Sequence, residues 1–376
     1  MHFIRYYEKD FDKYLKKGKV AVIYGPRRVG KTTLIEKYLE SYSGKYYFGT
    51  GEDSDLKQVF GSQSVNTMKN FFGGYDLVVI DEAQMIPDVG IGLKILVDQI
   101  KDIKVIASGS SSFDLSNKLG EPLTGRKITL KLYPVSALEL SENIGGMAIY
   151  QRLEEMMIYG TYPEVLNAAN NDEKKQLLTE LRDSYLYKDI IQLENIRNSS
   201  KIMDLLVLLS FQIGKEVSLN ELSNSLDLAK QTVEKYLDLL EKTFVIKKIR
   251  GFSRNLRKEV SKTARYYFLD NGVLNSIGNT YNPLNLRKDT GALWENYLFS
   301  ERLKQQQYHN IYSNNYFWRT YDMQEIDFVE ERDGKLFGYE FKFSPKNIKA
   351  PKAWSENYPD SEFTQINKEN FMDFIM

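Results

Sequence analysis

A short glycine-rich stretch near the start of the chain carries the residue types that bind phosphate groups. It follows the pattern G-x-x-x-x-G-K-[ST] and reads Gly25-Pro26-Arg27-Arg28-Val29-Gly30-Lys31-Thr32. In a loop of this pattern, backbone N–H groups surround the phosphates, the lysine reaches the β- and γ-phosphates, and the hydroxyl ligates Mg²⁺. We therefore expect residues 25–32 and the adjoining Thr33 to bind ATP, with Lys31 on the phosphates and Thr32 on the metal.

Two adjacent carboxylates follow a second apolar stretch. Residues 76–80 are typical of a buried strand, and Asp81 and Glu82 come directly after it. Open α/β sheets bind ligands beyond the carboxyl ends of their strands, so we expect this pair near the phosphate loop. Asp81 is suited to holding Mg²⁺, and Glu82 to polarising the attacking water. Without the loop, a solvated acidic turn would explain the pair as well.

Two further groups are candidates for contact with the same phosphates. The strand over residues 103–107 ends in a serine-rich turn, where Ser108 or Ser110 would lie between the first two sites and sense the γ-phosphate. Serine-rich turns also occur without any function. Arg126 precedes a strand over residues 128–132, and an arginine there could neutralise transition-state charge in its own chain or across a subunit interface. The alternative for Arg126 is an ordinary surface arginine.

The segments around these residues predict a parallel α/β sheet. Residues 19–24 form a continuous apolar run of the buried-strand type, and residues 33–39 have the pattern of a helix. A strand, a glycine loop and a helix in this order present backbone N–H groups and a helix N-terminus to a bound phosphate. We expect this nucleotide domain to span residues 1–135.

The order of these motifs resembles that of the AAA+-type ATPase domain in a large prokaryotic family whose members also carry a C-terminal domain known as DUF4143. The residues that carry the resemblance are the phosphate loop, Ile80–Gln84, Ala107–Ser112, Gly125-Arg126 and Tyr133–Ser136. It covers essentially the whole chain and implies a P-loop NTPase sheet of the AAA+ type. It also implies nucleotide and Mg²⁺ roles for the loop and the acidic pair, and one for Arg126. The family usually has Thr where this chain has Ser108.

Composition excludes several kinds of chemistry. The 376 residues contain 51 Lys and Arg, 51 Asp and Glu, and no Cys. The charge of the whole chain therefore predicts no polyanionic partner, and any such signal must be local. Disulfides, thiol catalysis and cysteine-ligated zinc are excluded. His2 and His309 are the only histidines, which argues against a histidine-based metal site or triad. No apolar run approaches the roughly 20 residues that span a bilayer, and residues 1–10 are too charged for a signal peptide. We expect a cytoplasmic protein without membrane contact.

Beyond residue 135 the sequence pattern becomes helical. Apolar side chains recur at three- and four-residue spacing in residues 149–158 and 176–193, with turn signals between these segments. We therefore predict an all-helical lid over residues 136–200. This region offers little chemistry of its own.

Residues 201–270 have the pattern of a winged helix-turn-helix. Ser218 and Glu221 form a capping box at the start of one helix, a second helix covers about residues 229–242, and two strands follow. The second helix and a basic cluster around the strands would contact nucleic-acid phosphates, most of all those of DNA. The predicted contacts are Lys230, Gln231, Lys235, Lys247, Lys248, Arg250, Arg254, Arg257 and Lys258, and the cluster continues to Lys262 and Arg265. Alternatively, the winged helix serves only for packing or protein docking.

The remaining region, residues 271–376, contains a predicted β-hairpin. Asp333-Gly334 is a two-residue turn signal between alternating strands. If Arg332 pairs with Lys335, the same register places Asp327 opposite Glu340, and two facing carboxylates cost energy unless something compensates them. A divalent cation would do so. The alternative is a surface hairpin with ion pairs, in which Glu325 lies opposite Lys342.

The order Asp327, then Glu340-x-Lys342 on the next strand, resembles the metal-and-lysine constellation of the PD-(D/E)XK nuclease fold. The resemblance implies a restriction-endonuclease-like α/β domain over residues 271–376. Lys342 would orient or deprotonate the attacking water there, and Glu295 would supply an additional acid from a helix. Many members of such folds have lost catalysis.

Taken together, the motifs predict Mg²⁺-dependent ATP hydrolysis by an AAA+-type protein that acts on nucleic acid, with a homo-oligomer as one possible assembly. The alternative from another functional class is a nucleotide-gated regulator or scaffold with slow turnover. Its C-terminal domain would be catalytically inactive and would dock a protein partner.

Overall fold

Two compact units make up the chain. The structure is a computed structural model that describes residues 1–110, 122–183, 199–254 and 264–376. Within those ranges, unit 1 comprises residues 1–135 with Lys242–Phe244, and unit 2 comprises residues 136–241 and 245–376. The predicted end of the nucleotide domain at residue 135 coincides with the end of the main part of unit 1. The predicted lid, winged-helix and C-terminal regions fall within unit 2.

Unit 1 is built on a five-stranded parallel sheet, as the sequence predicts. Its spatial order is β2-β3-β4-β1-β5, and every neighbouring pair is parallel. All carboxyl ends therefore meet at one edge of the sheet, with β4 between β1 and β3. The strands in chain order are β1 (Val20–Tyr24), β2 (Tyr46–Thr50), β3 (Leu77–Asp81), β4 (Lys104–Gly109) and β5 (Lys127–Lys131).

Apolar strands and capped helices explain why this unit folds as it does. Every residue of β1 and β3 is buried, which matches their continuous apolar runs. The side chain of Asp53 accepts the Asp55 N–H, and that of Ser64 accepts the Thr67 N–H, so α2 and α3 begin at capping residues. The described α-helices of unit 1 are α1 (Lys31–Glu40), α2 (Ser54–Gly61), α3 (Val65–Phe72) and α4 (Val89–Gln99).

An N-terminal 3₁₀ helix, Tyr6–Tyr14, packs against α1. The rings of Phe11 and Tyr38 lie 4.8 Å apart, and the Tyr38 hydroxyl donates a hydrogen bond of 2.9 Å to Asp12. Phe3 is also buried in this segment. The sequence analysis assigned no element to these residues.

The helices of unit 2 include one over the predicted lid segment 149–158 and those predicted for the helix-turn-helix, whereas residues 184–193 of the other predicted lid segment lie outside the described residues. No helix that the structure describes has the length and apolarity needed to cross a bilayer. In chain order, the described α-helices of this unit are α5 (Ala137–Ile144), α6 (Gly146–Tyr159), α7 (Pro163–Asn167), α8 (Asn171–Leu181), α9 (Ser199–Ser210), α10 (Leu219–Leu226), α11 (Lys230–Lys242), α12 (Asn271–Gly278), α13 (Thr290–Tyr308), α14 (Lys352–Asn357) and α15 (Phe371–Ile375).

Helices α10 and α11 follow the predicted amphipathic pattern closely. The Ser218 side chain accepts the Glu221 N–H and caps α10. On α11, Val233, Leu237 and Leu240 are buried, as predicted. The helix bounds therefore agree with the sequence pattern, while the assignment of a winged helix stays a prediction.

A six-stranded mixed sheet forms the other part of unit 2. Its order is β11-β10-β9-β8-β6-β7, in which β6 pairs antiparallel with β7 and parallel with β8. The two strands predicted as the wing, β6 and β7, thus belong to the same sheet as the C-terminal hairpin. The predicted boundary between residues 270 and 271 does not separate two sheets. The strands are β6 (Ile246–Gly251), β7 (Ala264–Phe268), β8 (Asn314–Arg319), β9 (Glu325–Arg332), β10 (Lys335–Phe341) and β11 (Glu362–Ile366).

The β9–β10 hairpin has the predicted turn and register. Asp333 and Gly334 both have positive φ, as a two-residue hairpin turn requires. Pairing runs from Arg332–Lys335 to Phe328–Tyr339 and ends one position before Asp327 and Glu340. On its other side, β9 has a bulge against β8: Tyr316 pairs with Val329 but Trp318 pairs with Ile326, so β9 has one extra residue there.

Candidate functional site

The phosphate loop joins β1 to α1 at the carboxyl edge of the unit 1 sheet. Arg28 and Gly30 have φ angles of 60° and 92°, so the backbone turns sharply before α1 begins. A side chain at Gly25 would clash with the carbonyl oxygen of Leu132, which explains the glycine. Helix α1 begins directly after the loop at Lys31, and the N-terminus of a helix favours an anion.

Lys31 and Thr32 lie where the sequence pattern places them. The Lys31 side chain is nearly buried, and its Nζ donates to the carbonyl oxygens of Gly25 at 2.9 Å and Pro26 at 3.0 Å. The Thr32 hydroxyl donates a hydrogen bond of 2.7 Å to the Asp81 carboxylate. This bond connects the phosphate loop to the end of β3.

Ser108 completes the contact between the two motifs. It is fully buried at the end of β4, and its hydroxyl donates to the second oxygen of Asp81. The same hydroxyl accepts the backbone N–H of Glu82 at 3.3 Å. Of the two serines considered, Ser108 therefore lies against the acidic pair. Ser110 instead accepts a hydrogen bond from the Gln84 amide at 3.3 Å.

Glu82 has a left-handed backbone, with φ at 48°. Its carboxylate accepts a hydrogen bond from the side-chain amide of Gln84, a residue to which the sequence analysis gave no role. The backbone approaches closely here, because a side chain at Gly51 would clash with the Glu82 carbonyl oxygen. Gly51 therefore packs against the Glu82 backbone, and the Gln84 amide holds the Glu82 carboxylate.

These side chains fit a magnesium-bound nucleotide. A hydroxyl and a carboxylate, supplied by Thr32 and Asp81, are the hard oxygen donors that Mg²⁺ prefers. The Lys31 ammonium donates to two carbonyl oxygens of its own loop. Phosphate oxygens would be stronger partners for this group.

Arg126 does not reach this site in its own chain. It lies just before β5, and its carbonyl oxygen accepts the N–H of Val20 at the start of β1. That is the amino edge of the sheet, about 15 Å from the phosphate loop for a five-residue strand. Its side chain forms an ion pair of 2.8 Å with Asp98. The predicted role within one chain is therefore wrong, and a role across a subunit interface stays a prediction.

A buried arginine that the sequence analysis missed contacts the phosphate loop. The guanidinium of Arg5 donates to the carbonyl oxygens of Val29 at 2.5 Å and Tyr133 at 2.6 Å. No motif connects Arg5 to the loop, because 20 residues separate it from Gly25.

A second group of predicted residues meets in unit 2, on α13 and the β9–β10 hairpin. Nζ of Lys342 lies 2.6 Å from the Glu340 carboxylate and 3.7 Å from that of Asp327. The Asp327 carboxylate also accepts the Phe341 N–H at 2.9 Å. Lys342 thus pairs with Glu340 and Asp327, and not with Glu325 as the surface-hairpin alternative proposed.

Arg265 belongs to this acidic cluster and not to the basic surface predicted for it. It is buried on β7, with Nη2 at 3.0 Å from Glu325 and Nη1 at 3.9 Å from Glu295 and 4.0 Å from Asp327. Charged neighbours are needed to bury a guanidinium, and three carboxylates supply them. The signal missed was the alternation in β7, which points Arg265 and Tyr267 to the same face.

The cluster raises the pKa of its carboxyl groups. Burial, and then the charge of Asp327, raise the pKa of Glu295 to about 8, against the lowering effect of Arg265. The Tyr267 hydroxyl donates to Glu295 at 2.6 Å. Burial likewise raises the pKa of Asp327 and Glu340. These carboxyl groups therefore hold protons more readily than exposed ones.

The two predicted metal ligands of this cluster, Asp327 and Glu340, both contact Lys342, and the predicted metal site stays a prediction. Across the described residues, no group of three or more His, Cys, Asp or Glu side chains is arranged to hold a metal ion. Lys342 contacts Asp327 and Glu340. Arg265 contacts Glu295 and, from another side, Asp327. The cations of the chain itself compensate the acidic charge.

The predicted nucleic-acid contacts are divided between a helix and a sheet of unit 2. On α11, the side chains of Lys230, Gln231 and Lys235 are exposed, as predicted. On β6, Lys247 forms an ion pair of 2.5 Å with Glu241. The other residues of the predicted surface are placed as follows: Lys248 lies over the Tyr266 ring, Arg250 is exposed, Arg254 lies over the Tyr358 ring, and Arg257, Lys258 and Lys262 lie outside the described residues.

Three family models match successive parts of the chain. Residues 17–141 match an AAA domain model, AAA_14, and residues 290–370 match DUF4143, a domain of unknown function. Between them, residues 150–288 match another domain of unknown function, DUF8612. That match crosses the predicted boundaries at residues 200 and 270, which agrees with the continuity of unit 2.

Similar proteins occur in bacteria and archaea. An uncharacterized protein of Mycobacterium tuberculosis is 27% identical over 333 residues, which cover 87% of this chain and 71% of the relative. An uncharacterized protein of Methanocaldococcus jannaschii is 23% identical over 388 residues, covering 96% of this chain and 83% of the relative. Among solved structures, a Walker-type ATPase of Pyrococcus abyssi superposes with a TM-score of 0.44 at 16% identity, covering 72% of this chain and 94% of that chain.

The raised pKa of Glu295 predicts a pH-dependent stability. Between the ordinary glutamate pKa of 4.5 and about 8, the folded chain retains a proton that the unfolded chain releases. Stability is therefore lost as the pH rises through this window. Glu295→Gln mimics the protonated form. We expect the free energy of unfolding of wild type, relative to that of the variant, to fall by roughly 1–3 kcal/mol between about pH 5 and about pH 8.5 in urea titrations.

The matched control is Glu356→Gln, because Glu356 is an exposed glutamate of the same unit, on α14. This variant should follow wild type at both pH values. A Glu295→Gln protein whose stability relative to wild type does not change with pH would contradict the assignment.

Proposed function

We propose that this chain, which carries an AAA-type ATPase domain over residues 17–141 and a DUF4143 domain over residues 290–370, hydrolyses ATP with Mg²⁺ at the carboxyl edge of the unit 1 sheet. The observation that carries the proposal is the hydrogen bond of 2.7 Å from Thr32 to Asp81. It brings the phosphate loop and the acidic pair into one site. Lys31 lies beside them on the loop.

Each side chain of the site then has a distinct task. Thr32 and Asp81 hold the metal ion, and Lys31 neutralises phosphate charge. Bound Mg²⁺ would supply further charge neutralisation of the phosphates. Glu82 accepts a proton from the attacking water and orients it. Ser108 fixes the Asp81 carboxylate and the Glu82 N–H, so that both acids keep their direction.

The contact between Glu82 and Gln84 supports a second candidate function, that of a nucleotide-gated regulator with slow turnover. Gln84 donates to one carboxylate oxygen of Glu82 and so holds the direction of this side chain. In a regulator, this bond would hold Glu82 away from the attacking water until a partner changes its direction, and ATP would remain bound between rare turnovers.

Basic side chains support contact of unit 2 with nucleic acid, most of all DNA. A groove of about 390 Å³ beside β6 is lined by Lys247, Lys248 and Arg250, with Asn314 and Asn315 at its other side. Lysine and arginine on such a surface attract phosphates without reading sequence. Glu241, which also lines the groove, offsets part of this charge.

We further propose that the DUF4143 domain binds rather than cuts. Its acidic cluster has the four polar positions of a nuclease-like site, namely Glu295, Asp327, Glu340 and Lys342. Lys342 contacts Asp327 and Glu340, and Arg265 contacts Glu295, so cations of the chain already compensate these carboxylates. A homo-oligomer remains part of the proposal because Arg126 can assist the site only from another subunit.

Removing Lys31 or Glu82 should separate binding from hydrolysis. Lys31→Ala loses the ammonium that compensates the phosphates, and we expect nucleotide affinity to fall at least about tenfold. Glu82→Gln keeps the shape of the side chain but cannot accept a proton, so we expect unchanged affinity and a turnover reduced by about 100-fold or more. Calorimetric titration and phosphate release measure the two quantities.

Wild-type turnover equal to that of Glu82→Gln would contradict the hydrolase and favour the regulator. Failure of wild type to bind ATP would contradict both.

Replacing the hydroxyl of Ser108 should reduce turnover more than binding. Ser108→Ala removes the bonds to Asp81 and to the Glu82 N–H, each worth about 1 kcal/mol. We expect turnover to fall about tenfold and nucleotide affinity to change less than about threefold. Ser110→Ala is the matched control, because Ser110 accepts a hydrogen bond from Gln84, whereas Ser108 contacts Asp81 and Glu82. Equal effects of the two substitutions would exclude a special role for Ser108.

Neutralising the groove should weaken DNA binding and its salt dependence. For the triple variant Lys247→Gln, Lys248→Gln, Arg250→Gln, we expect at least about tenfold weaker binding to duplex DNA at low salt. The slope of log K against log salt should fall by about 2–3. The control substitutes three exposed lysines of unit 1, Lys69, Lys94 and Lys101. Equal losses of DNA affinity in the two triple variants would contradict a role of the groove in DNA binding.

DNA cleavage with Mg²⁺ that is abolished by Asp327→Ala would contradict the proposal that the DUF4143 domain binds and does not cut.

A further inference from the structure

Arg5 is a charged side chain buried behind the phosphate loop. It precedes the 3₁₀ helix of unit 1, and only 3% of its surface is exposed. Arginine is almost never fully buried unless its donors find partners. In this chain the guanidinium spans two backbone carbonyl groups that belong to different segments, Val29 and Tyr133.

These two carbonyl groups lie at the carboxyl edge of the sheet. Val29 is part of the phosphate loop, and Tyr133 follows β5. The N–H of Leu132, next to Tyr133, bonds the carbonyl oxygen of Tyr24 at the end of β1 at 2.7 Å. Arg5 therefore ties the loop to the segment that borders it on the side away from β4.

The bond to Val29 also fixes the direction of an N–H group. The peptide between Val29 and Gly30 is planar and trans, so its carbonyl oxygen and its N–H point in opposite directions. Gly30 has a φ of 92° and no Cβ to limit rotation, which leaves this peptide poorly restrained by its own chain. With the carbonyl oxygen held by Arg5, the N–H of Gly30 must point away from the guanidinium.

Arg5 is itself held in place by the N-terminal segment. Its backbone N–H donates to the Glu8 carboxylate at 3.1 Å, and the Glu8 N–H returns a bond of 3.0 Å to the Arg5 carbonyl oxygen. Farther along, Phe11 and Asp12 contact Tyr38 on α1, the helix that follows the loop. The segment that carries Arg5 is thus connected to α1, the helix that begins at the phosphate loop.

We propose that Arg5 is a positioning residue for the nucleotide: it holds the Val29–Gly30 peptide in the orientation in which the loop N–H groups donate to phosphate oxygens. The inference rests on the proposed nucleotide site. Arg5 touches no reacting atom, so its effect falls on binding. Its positive charge behind the loop adds a smaller, long-range attraction for a polyanion.

The test compares Arg5→Ala and Arg5→Lys with wild type by calorimetric titration with Mg·ATP and by steady-state turnover. For Arg5→Ala we expect the Kd and the KM for ATP to rise about tenfold, with kcat at saturation within about threefold. Arg5→Lys keeps the charge but not the planar fork that spans both carbonyl groups, so its Kd should be intermediate. Lys16→Ala is the control, because it removes a positive charge from an exposed side chain of the same N-terminal segment.

A wild-type Kd in Arg5→Ala would overturn the inference, even if thermal unfolding showed a loss of stability, since a purely structural role predicts that result. If Arg5→Ala does not fold, Arg5→Lys decides, and a Kd equal to that of wild type overturns the inference. Failure of wild type itself to bind ATP would instead remove the proposed nucleotide site. The two failures are therefore distinguishable.

Discussion

The parallel alignment of β1, β4 and β3 is the constraint on which the candidate site depends. Neighbouring parallel strands end at the same edge, so the loop after β1, the serine of β4 and the acids after β3 lie side by side. The bonds from Thr32 and Ser108 to Asp81 follow from this alignment. Apolar side chains bury β1 and β3 completely, and the core of unit 1 therefore fixes the geometry of its site.

In this structure the candidate site is assembled, and its side chains form hydrogen bonds with other groups of the chain. Lys31 donates to carbonyl oxygens of its own loop, and Glu82 accepts from Gln84. Phosphate oxygens would be stronger hydrogen-bond partners for the Lys31 ammonium than the carbonyl oxygens of its own loop, and the proposed site therefore favours a bound anion.

Local patterns predicted the strands of the sheet, the loop and the acidic pair, because each of them is a continuous segment of the sequence. The hairpin register was also predictable, since the turn at residues 333–334 sets it. Pairing between distant strands was not. A single sequence does not say that β7 joins the sheet of β9, and Arg265 was therefore assigned to a basic surface and not to the acidic cluster. For the same reason the sequence placed Arg126 near the nucleotide and gave Arg5 no role.

Calorimetric titration of the intact protein with ATP, in the presence and in the absence of Mg²⁺, tests the Thr32–Asp81 site most directly. Wild type should bind Mg·ATP at one site and bind ATP at least about tenfold more weakly without the metal. Thr32→Val keeps the side-chain shape but loses the hydroxyl, so it should lose most of this metal dependence. Equal affinity of wild type with and without Mg²⁺, or a Thr32→Val protein that retains the full metal dependence, would contradict the site.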